Sequence, residues 1–353
     1  MKMKWSFCIT VFLSALLLTQ QMSAQKYDTL LVAFYNQENL FNAVDDPEND
    51  DAEFLPSAKK EWTQERYEKK MFNMARVIRS MNYNYGPDII GFCEVENQNV
   101  LEAMVAKHLS DLHYQVVYAE SPDKRGIDVG LIFKKDKFTF LSMNADTVFL
   151  SDRYPTRLIL NANLLSKSKD TLHIFVNHWP SRRGGAEASA KNRIAAANTL
   201  KMSIDKYFSN STKANIIAMG DFNDEPVDVS IKETLNALPI SCAEIIKLPK
   251  FSYKNLYNLA YSKKINGEGS YKYQSEWDMI DQIIISGNLL TNKSFHLLCN
   301  SFEIYKPAFI VTHSGKYEGA PFPTYGGVRY LGGYSDHFPV LAKFLLTKES
   351  IRK

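Results

Sequence analysis

Polar side chains that can bind a cation or move a proton recur at the ends of apolar segments. The segment 215–219 is mostly apolar and predicts a buried strand, and Asp221 and Asn223 follow it. Residues two apart on an extended chain point to the same side, so this acid and this amide leave the strand together. Six such clusters occur, which favours a single site; their members are Asn36, Glu94, Asn177 with His178, Asp221 with Asn223, Asp281, and Asp336 with His337.

The side-chain types in these clusters indicate metal-assisted hydrolysis of phosphate esters. Carboxylate and amide oxygens suit Mg²⁺ or Mn²⁺, with Ca²⁺ as a further candidate, whereas a zinc site would contain more histidine or cysteine. An imidazole beside a carboxylate can transfer protons. The sequence contains no phosphate-binding glycine loop and no exposed-serine motif, so a covalent serine mechanism is not indicated.

The positions of the clusters predict the direction of the strands that carry them. Four clusters follow their apolar segment, whereas Asp281 and Asp336 precede theirs. If all six meet at one rim, four strands arrive there and two depart, so the sheets must be mixed. Around them the sequence predicts a helix that Thr63 caps and Gly86–Pro87 ends, a helix over 187–207, strands over 129–133, 138–141 and 157–165, and two glycine- and aromatic-rich loops over 251–273 and 313–333.

Composition and the first residues predict an exported single-domain protein. The chain has 353 residues, 45% hydrophobic and 23% charged, without a linker or repeat, so residues 25–353 are expected to form one domain. Residues 1–24 have the pattern of a signal peptide, with two lysines, an apolar run over 5–18 and a small residue, Ala24, before the cleavage point. We therefore expect a periplasmic, outer-surface or extracellular protein without stable membrane insertion.

Net charge and cysteine content limit the partners. Loss of Lys2 and Lys4 with the signal lowers the formal charge of +3 by two, so no broad basic face is expected and a polyanion would be held by local arginines and a metal. Cys93 lies inside an apolar segment and is expected to be buried. Cys242 and Cys299 are candidates for a disulfide, although the sequence does not establish that they are close.

Three motifs in order, together with Glu94 at a strand end, resemble the endonuclease/exonuclease/phosphatase superfamily. They are 177–182 (NHWPSR), 220–223 (GDFN) and 335–339 (SDHFP), and the resemblance runs from Asn36 to His337. It implies a four-layer α/β sandwich, in which two mixed β-sheets pack face to face with helices outside and the site lies at one rim.

The resemblance also implies a role for each site residue. Glu94 is expected to be the main metal carboxylate, with Asn36 beside it and Asp336 completing the set. His337, oriented by Asp281, is expected to bind the scissile phosphate or transfer a proton. The remaining roles are Asp221 and Asn223 for orienting water and phosphate, His178 as a second imidazole with Asp128 as its carboxylate, and Arg182, Arg157, Arg183 and Asn177 for binding phosphate. Asp128 has an alternative partner in Arg125, Asn177 an alternative role in orienting His178, and Arg193 ranks last because it can simply brace the loop.

The leading functional hypothesis is a secreted, metal-dependent nuclease or phosphodiesterase, with DNA or RNA as candidate substrates. The alternative is the same chemistry in a phosphatase or a sphingomyelinase-like phospholipase C. A third hypothesis, a silent binding protein, is disfavoured because the acids and both histidines are all retained. The sequence indicates no protein partner.

Overall fold

The computed structural model describes residues 27–150, 154, 156–240 and 252–347, which form two large β-sheets. In the first sheet the strand order is β14-β18-β1-β2-β4-β3, and β15 pairs with β18. Its strands are β1 (Tyr27–Leu40), β2 (Ile89–Val95), β3 (Tyr114–Ala119), β4 (Asp128–Lys134), β14 (Phe295–Leu297), β15 (Glu303–Ile304) and β18 (Val340–Thr347).

The second sheet has the strand order β5-β6-β7-β8-β13-β10-β9. Its strands are β5 (Phe138–Asp146), β6 (Ile159–Ser166), β7 (Thr171–His178), β8 (Asn215–Asp221), β9 (Ala237–Pro239), β10 (Leu256–Asn258) and β13 (Asp281–Ser286). Two hairpins stand outside the sheets: β11 (Tyr271–Tyr273) with β12 (Glu276–Asp278), and β16 (Tyr325–Gly326) with β17 (Arg329–Tyr330).

The strand directions confirm the mixed sheets that the sequence predicts. β1 and β2 are parallel, as are β7 and β8, and all four end at the same rim. β18 runs antiparallel to β1, and β13 runs antiparallel to β8, so both begin at that rim. The polar residues that precede β13 and β18 therefore meet those that follow the other four strands.

Alternating residues of β8 show how the layers stack. Ile217 and Met219 belong to the core between the two sheets, whereas Ile216 and Ala218 belong to a second core on the opposite face. The sheets approach closely at Gly91 on β2, where an added Cβ would lie 2.9 Å from Met219 Sδ. A larger residue there would push the sheets apart, because interiors are packed without room for an extra methyl group.

Helices cover both outer faces and complete the predicted four-layer α/β sandwich. Helix α3 (Ala186–Asn210) packs Ala197 and Leu200 into the second core, against the outer face of the second sheet. Leu101 of α2 lies against Gly130 of β4 in the first sheet. The other helices are α1 (Gln64–Ser80), α2 (Gln98–His108) and the short α4 (Tyr261–Ile265) and α5 (Asn288–Thr291). Within the described residues, no helix combines the length and apolar character needed to cross a membrane.

Several element boundaries differ from those that the sequence predicts. Thr63 caps α1 as predicted, with its Oγ1 accepting from Arg66 N at 3.3 Å, but α1 ends at Ser80, before Gly86. Strand β5 extends to Asp146. Strand β6 begins at Ile159, and Arg157, which was predicted to lie in this strand, instead donates its Nε to the His178 carbonyl at the end of β7. The predicted loops contain short elements instead: β10, α4 and β11 within 251–273, and the β16–β17 hairpin within 313–333.

The predicted signal peptide lies outside the described residues, as does Cys242. Cys299 is disulfide-bonded, and its pairing with Cys242 stays a prediction. Cys93 is a free, buried cysteine, as expected.

Candidate active site

Irregular backbone at the ends of β1 and β2 places Glu94 at the rim. The register of the β1–β2 pair shifts between Asn36 and Leu40, and that of β2–β4 shifts between Cys93 and Val95. Glu94 itself has a φ of +58°, a left-handed conformation that non-glycine residues adopt at a cost. The amide of Asn39 donates to Glu94 Oε2 at 3.0 Å and so fixes the carboxylate. The bulges therefore direct the Glu94 side chain to the rim, whereas a regular strand would direct it elsewhere.

Asn36, Glu94 and Asp221 converge on one point. Asn36 Nδ2 lies 3.2 Å from Glu94 Oε1 and 3.2 Å from Asp221 Oδ2. Burial and the neighbouring Asp281 raise the pKa of Asp221 to about 7. A buried carboxylate among other carboxylates is stabilised by a nearby cation, and these oxygens are of the type that Mg²⁺ or Mn²⁺ prefers. The carboxylates of Glu94 and Asp221 therefore fit a hard divalent ion, whereas Asn36 faces them with its amide Nδ2 while its Oδ1 accepts from Glu38 N at 2.8 Å.

A close approach between β7 and β8 fixes the turn that carries Asn223. An added Cβ at Gly220 would lie 2.3 Å from the carbonyl oxygen of Asn177, so only glycine fits there. Asn223 has a φ of +51°, donates its amide N–H to Asp221 Oδ1 at 2.9 Å and donates Nδ2 to the Trp179 carbonyl at 2.9 Å. The predicted pair of an acid and an amide is therefore held together by direct hydrogen bonds.

His337 is held from three sides. Its Nδ1 lies 2.7 Å from Asp281 Oδ2, its backbone N–H donates to Ser335 Oγ at 3.1 Å, and its ring packs on Tyr271 with centroids 4.6 Å apart. Burial alone would lower the pKa of His337, but the carboxylates of Asp281 and Asp336 raise it well above its usual range. The structure thus brings His337 and Asp281 together as the sequence predicts, and the pair favours an imidazolium.

His178 has a different environment, and the predicted contact with Asp128 is wrong. Asp128 instead accepts hydrogen bonds from the Tyr118 hydroxyl and from the amide and hydroxyl of Ser121. Among the described residues, the buried His178 Nδ1 has no hydrogen-bond partner. Burial, with the positive charges of Arg157 and Arg125, lowers the pKa of His178 well below its usual value. The Asp128 carboxylate therefore stabilises the backbone at Ser121 and does not orient His178.

Asp336 and His178 complete the rim around Asp221. His178 Nε2 lies 3.7 Å from Glu94 Oε1, and Asp336 Oδ1 lies 3.9 Å from His337 Nε2. The Asp336 side chain is 41% exposed, so it borders the cleft instead of lying in its floor. This position keeps Asp336 available to the predicted metal, next to Glu94.

Two arginines predicted to bind phosphate are already occupied. Arg182 contacts Asp278 at 3.0 Å and Asp228 at 3.3 Å, and its Nε donates to the Asn223 carbonyl at 2.8 Å. Arg157 is buried, pairs with Asp123 at 2.8 Å and donates to the carbonyls of His178 and Trp179. Both therefore hold the loops that carry the site residues. The spacing in the sequence did not reveal these partners, because all of the acids come from other segments.

Other predicted residues have supporting positions. Arg193 pairs with Asp224 and donates to the Ala186 carbonyl at 2.7 Å, so it braces the start of α3 as anticipated. Asn177 is fully buried and accepts from Trp179 Nε1 at 3.1 Å, which agrees with its alternative role in orienting the segment of His178. Arg183 lines the cleft and is exposed.

An open cleft with about 1380 Å³ of empty space is lined by many of the site residues, namely Glu94, His178, Arg182, Arg183, Asp221, Asn223, Asp336 and His337. Among the lining residues that the sequence did not predict for the site are Arg125, Tyr271 and Tyr273. A further unassigned residue, Ser270, donates its hydroxyl to Asp281 Oδ2. Tyr271 and Tyr273 lie at the end of the loop over 251–273, whose aromatic-rich composition could have pointed to the site. No feature of the sequence pointed to Ser270.

Comparison with known proteins gives one family. The profile of the "Endonuclease/Exonuclease/phosphatase family" matches residues 31–346. No curated protein matches the chain in sequence.

Solved structures resemble the chain in fold. The human Nocturnin catalytic domain with bound sulfate is 17% identical, with a TM-score of 0.53 over 91% of this chain and 98% of that one. A mannosyl-6-phosphatase from Bacteroides thetaiotaomicron is 15% identical, with a TM-score of 0.53 over 89% and 99%. ANGEL2, described as a 2′,3′-cyclic phosphatase, is 17% identical, with a TM-score of 0.58 over 91% and 96%. At these identities the likeness concerns the fold.

Proposed function

The chain belongs to the endonuclease/exonuclease/phosphatase family, and from that premise we propose that it is a secreted, divalent-metal-dependent nuclease or phosphodiesterase. The observation that carries the proposal is the position of Asp221. Its Oδ2 lies 4.0 Å from Nε2 of both His178 and His337 and 3.2 Å from the Asn36 amide. One carboxylate oxygen is therefore surrounded by two imidazoles and the amide of Asn36, next to the proposed metal ligand Glu94.

Each side chain has a role that follows from its contacts. Asp281 holds Nδ1 of His337, so Nε2 of the imidazolium faces the cleft and can donate to a phosphoryl oxygen. Asp221, oriented by the Asn223 amide, can accept the proton of an attacking water. His178 is neutral at pH 7 because its pKa is lowered. Depending on the tautomer, its Nε2 can donate a hydrogen bond to a phosphoryl oxygen or accept one from water.

The metal would be held by Glu94 and Asn36 with Asp336 alongside, and Mg²⁺ and Mn²⁺ fit these ligands best. When bound, such an ion offsets the negative charge that develops on the phosphoryl oxygens. Ion binding can be measured without activity. We expect Mg²⁺ to raise the melting temperature of the wild type, because it binds the folded state only, and to raise that of Glu94→Gln much less. An equal rise in both proteins would place the ion elsewhere.

The test of function is hydrolysis by the chain from Gln25 onward, in Mg²⁺, in Mn²⁺ and in EDTA. The substrates are plasmid DNA, RNA, bis-p-nitrophenyl phosphate, p-nitrophenyl phosphate and sphingomyelin. Nicking of plasmid or cleavage of RNA that EDTA and Asp221→Asn abolish is the expected result. Turnover of p-nitrophenyl phosphate alone would assign the same site to a phosphatase. Absence of turnover on every substrate would contradict the proposal.

The phosphatase alternative is favoured by one structural observation. Arg182 and Arg157 are neutralised by carboxylates, so the cleft has few cations with which to follow a long polyanion. A neighbour in fold is described as a mannosyl-6-phosphatase. The substrate panel above separates the two functions, because only the nuclease cleaves the plasmid or RNA backbone.

Export is proposed from the sequence of the first 24 residues. The lysines, the apolar run and the small residue Ala24 are features of a secretory signal peptide. Intact-mass analysis of the protein recovered from the periplasm or medium should give a chain that begins at Gln25. Full-length protein retained in the cytoplasm would contradict this part of the proposal.

A further inference from the structure

The arginines around the cleft divide into two groups. Arg157, Arg182 and Arg193 each have a carboxylate oxygen within hydrogen-bond distance. Arg183 is exposed and, within the described residues, has no carboxylate within 4.0 Å. Arg125 is half exposed, and its Nε is 3.6 Å from Asp123, an acid that Arg157 already binds at 2.8 Å. Arg125 and Arg183 are therefore the cations of this rim with charge still available for a ligand.

These two arginines lie on the ridge between two cavities. Arg125, Ser181 and Arg183 line the cleft that contains His178 and Asp221, and they also line an adjoining cavity with about 830 Å³ of empty space. Asp123 is the one acid among the described residues that line this second cavity, against the cations Arg125, Arg157 and Arg183. The described lining of the adjoining cavity thus carries a net positive charge, and this cavity adjoins the cleft that contains His178 and Asp221.

The backbone beside Arg183 adds to the positive character. Gly184 and Gly185 follow it with φ values of +82° and +109°, and both line the cleft with Ala186, the first residue of α3. No side chain caps this end of α3, which has 25 residues. The N-terminus of a long helix carries a partial positive charge, and this end, which has Glu187 in its first turn, lines the same cleft as Arg125 and Arg183.

We infer that Arg125 and Arg183 bind a second phosphate group of the substrate, beside the phosphate that is hydrolysed. This inference rests on the proposed function and makes it narrower: the preferred substrates carry two phosphate groups, as a nucleotide chain or a bisphosphate does. Guanidinium groups bind phosphate through paired N–H donors, and here they lie at the edge of the site instead of in its centre. A substrate with one phosphate leaves them unused.

The test compares ligands that differ by one phosphate. Binding of thymidine 3′,5′-bisphosphate and of thymidine 5′-monophosphate is measured by calorimetry with Mg²⁺ present, which requires no turnover. We expect the wild type to bind the bisphosphate at least about tenfold more tightly, the value of one charge-assisted contact. Arg183→Ala and Arg125→Ala should abolish most of this difference. Arg329→Ala, an exposed arginine outside the cleft lining, is the matched control and should retain it.

Kinetics then distinguish this inference from the proposed function. Two substrates are compared, a dinucleotide with a terminal phosphate and the same dinucleotide without it. The wild type should have a much higher kcat/KM for the first, whereas Arg183→Ala should have nearly equal values for both. An equal preference in wild type and both arginine variants, or no preference in wild type, would overturn the second subsite. If no substrate is turned over, the proposed function fails while the binding comparison still decides the inference.

Discussion

The two histidines at the rim have nearly equal burial and opposite electrostatic environments. His337 contacts Asp281 through Nδ1, and its pKa is raised well above the usual range. His178, at the end of β7, has a buried Nδ1 without a partner in the described part of the chain, and its pKa is lowered. Both imidazoles nevertheless place Nε2 4.0 Å from the same oxygen of Asp221. One site therefore contains a charged imidazole and a neutral one at pH 7.

The difference shows what sets the state of a buried histidine. Desolvation acts on both rings and favours the neutral form. It determines the state of His178, because no carboxylate in the described ranges is hydrogen-bonded to that ring and the positive charges of Arg157 and Arg125 lower its pKa further. It is outweighed at His337, because a carboxylate is hydrogen-bonded directly to the ring. A hydrolytic site needs one group that donates a proton and one that accepts it, and this arrangement supplies both.

Removal of each imidazole should give the largest effect. We expect His337→Ala to lower kcat/KM by about 10³-fold or more and His178→Ala by about 10²-fold, since the first removes a charged proton donor and the second a neutral imidazole. Steady-state hydrolysis of the preferred substrate measures both. His313→Ala, an exposed histidine outside the cleft lining, is the control and should retain full activity. If both site variants kept wild-type activity, the assigned roles would be rejected.

A single substitution can make His337 resemble His178. Asp281→Asn keeps the shape of the side chain but removes the charge that raises the pKa of His337. We expect an approximately 10²-fold loss in kcat, and the alkaline limb of the pH–rate profile should move to lower pH because His337 then loses its proton earlier. An unchanged alkaline limb would show that another group controls it.

The anchor of His178 can be broken by removing Arg157. Arg157→Met leaves Asp123 without its 2.8 Å partner and the His178 carbonyl without a donor. Breaking a buried ion pair costs about 3–5 kcal/mol, and the free energy of unfolding in urea should fall by about that amount. The double variant Arg157→Met, Asp123→Asn should recover part of it. A stable single variant with weakened substrate binding would instead support the original prediction that Arg157 binds phosphate.

The smallest effect is a difference in the pH dependence of stability. His178 has a folded-state pKa below its unfolded value, so its contribution is present above about pH 6.5 and is lost as the pH falls. His337 has a raised pKa, so its contribution is present below about pH 6.5 and is lost as the pH rises through the folded-state value. In EDTA, His178→Gln should flatten the acid side of the stability profile and His337→Gln the alkaline side, by about 1.4 kcal/mol for each pKa unit removed. Parallel profiles would contradict the contrast.

Much of the fold was predictable, because the order of apolar segment and polar cluster along the sequence indicates the direction of each strand. Asp221 follows its apolar segment and Asp281 precedes its own, and the two residues are paired across β8 and β13. The order of polar and apolar residues therefore gave the mixed sheets directly. The same reasoning brought Asn36, Glu94 and His337 to one rim, because each lies at the end of a strand that crosses the core.

Partners across the site were harder to predict, since they depend on which acids tertiary structure brings near. Asp128 contacts Tyr118 and Ser121 because the bend before β4 folds back on β3. Arg182 meets Asp278 on β12, beyond the predicted loop over 251–273 and far from Arg182 in the sequence. Neither contact has a local signature. The roles of the individual site residues remain predictions that the variants above address.

The pairing of β1 with β18 has a consequence for when the protein becomes active. Residues 27–34 pair with 340–347, and Asn36 and His337 lie at the rim end of this pair. A chain that is synthesised or translocated from its N-terminus supplies Asn36 and Glu94 well before His337. Catalysis must therefore wait until β18 has docked beside β1. A chain cut between β13 and Asp336 keeps Glu94, Asp221 and Asp281 but lacks Asp336 and His337, so it should not hydrolyse substrate.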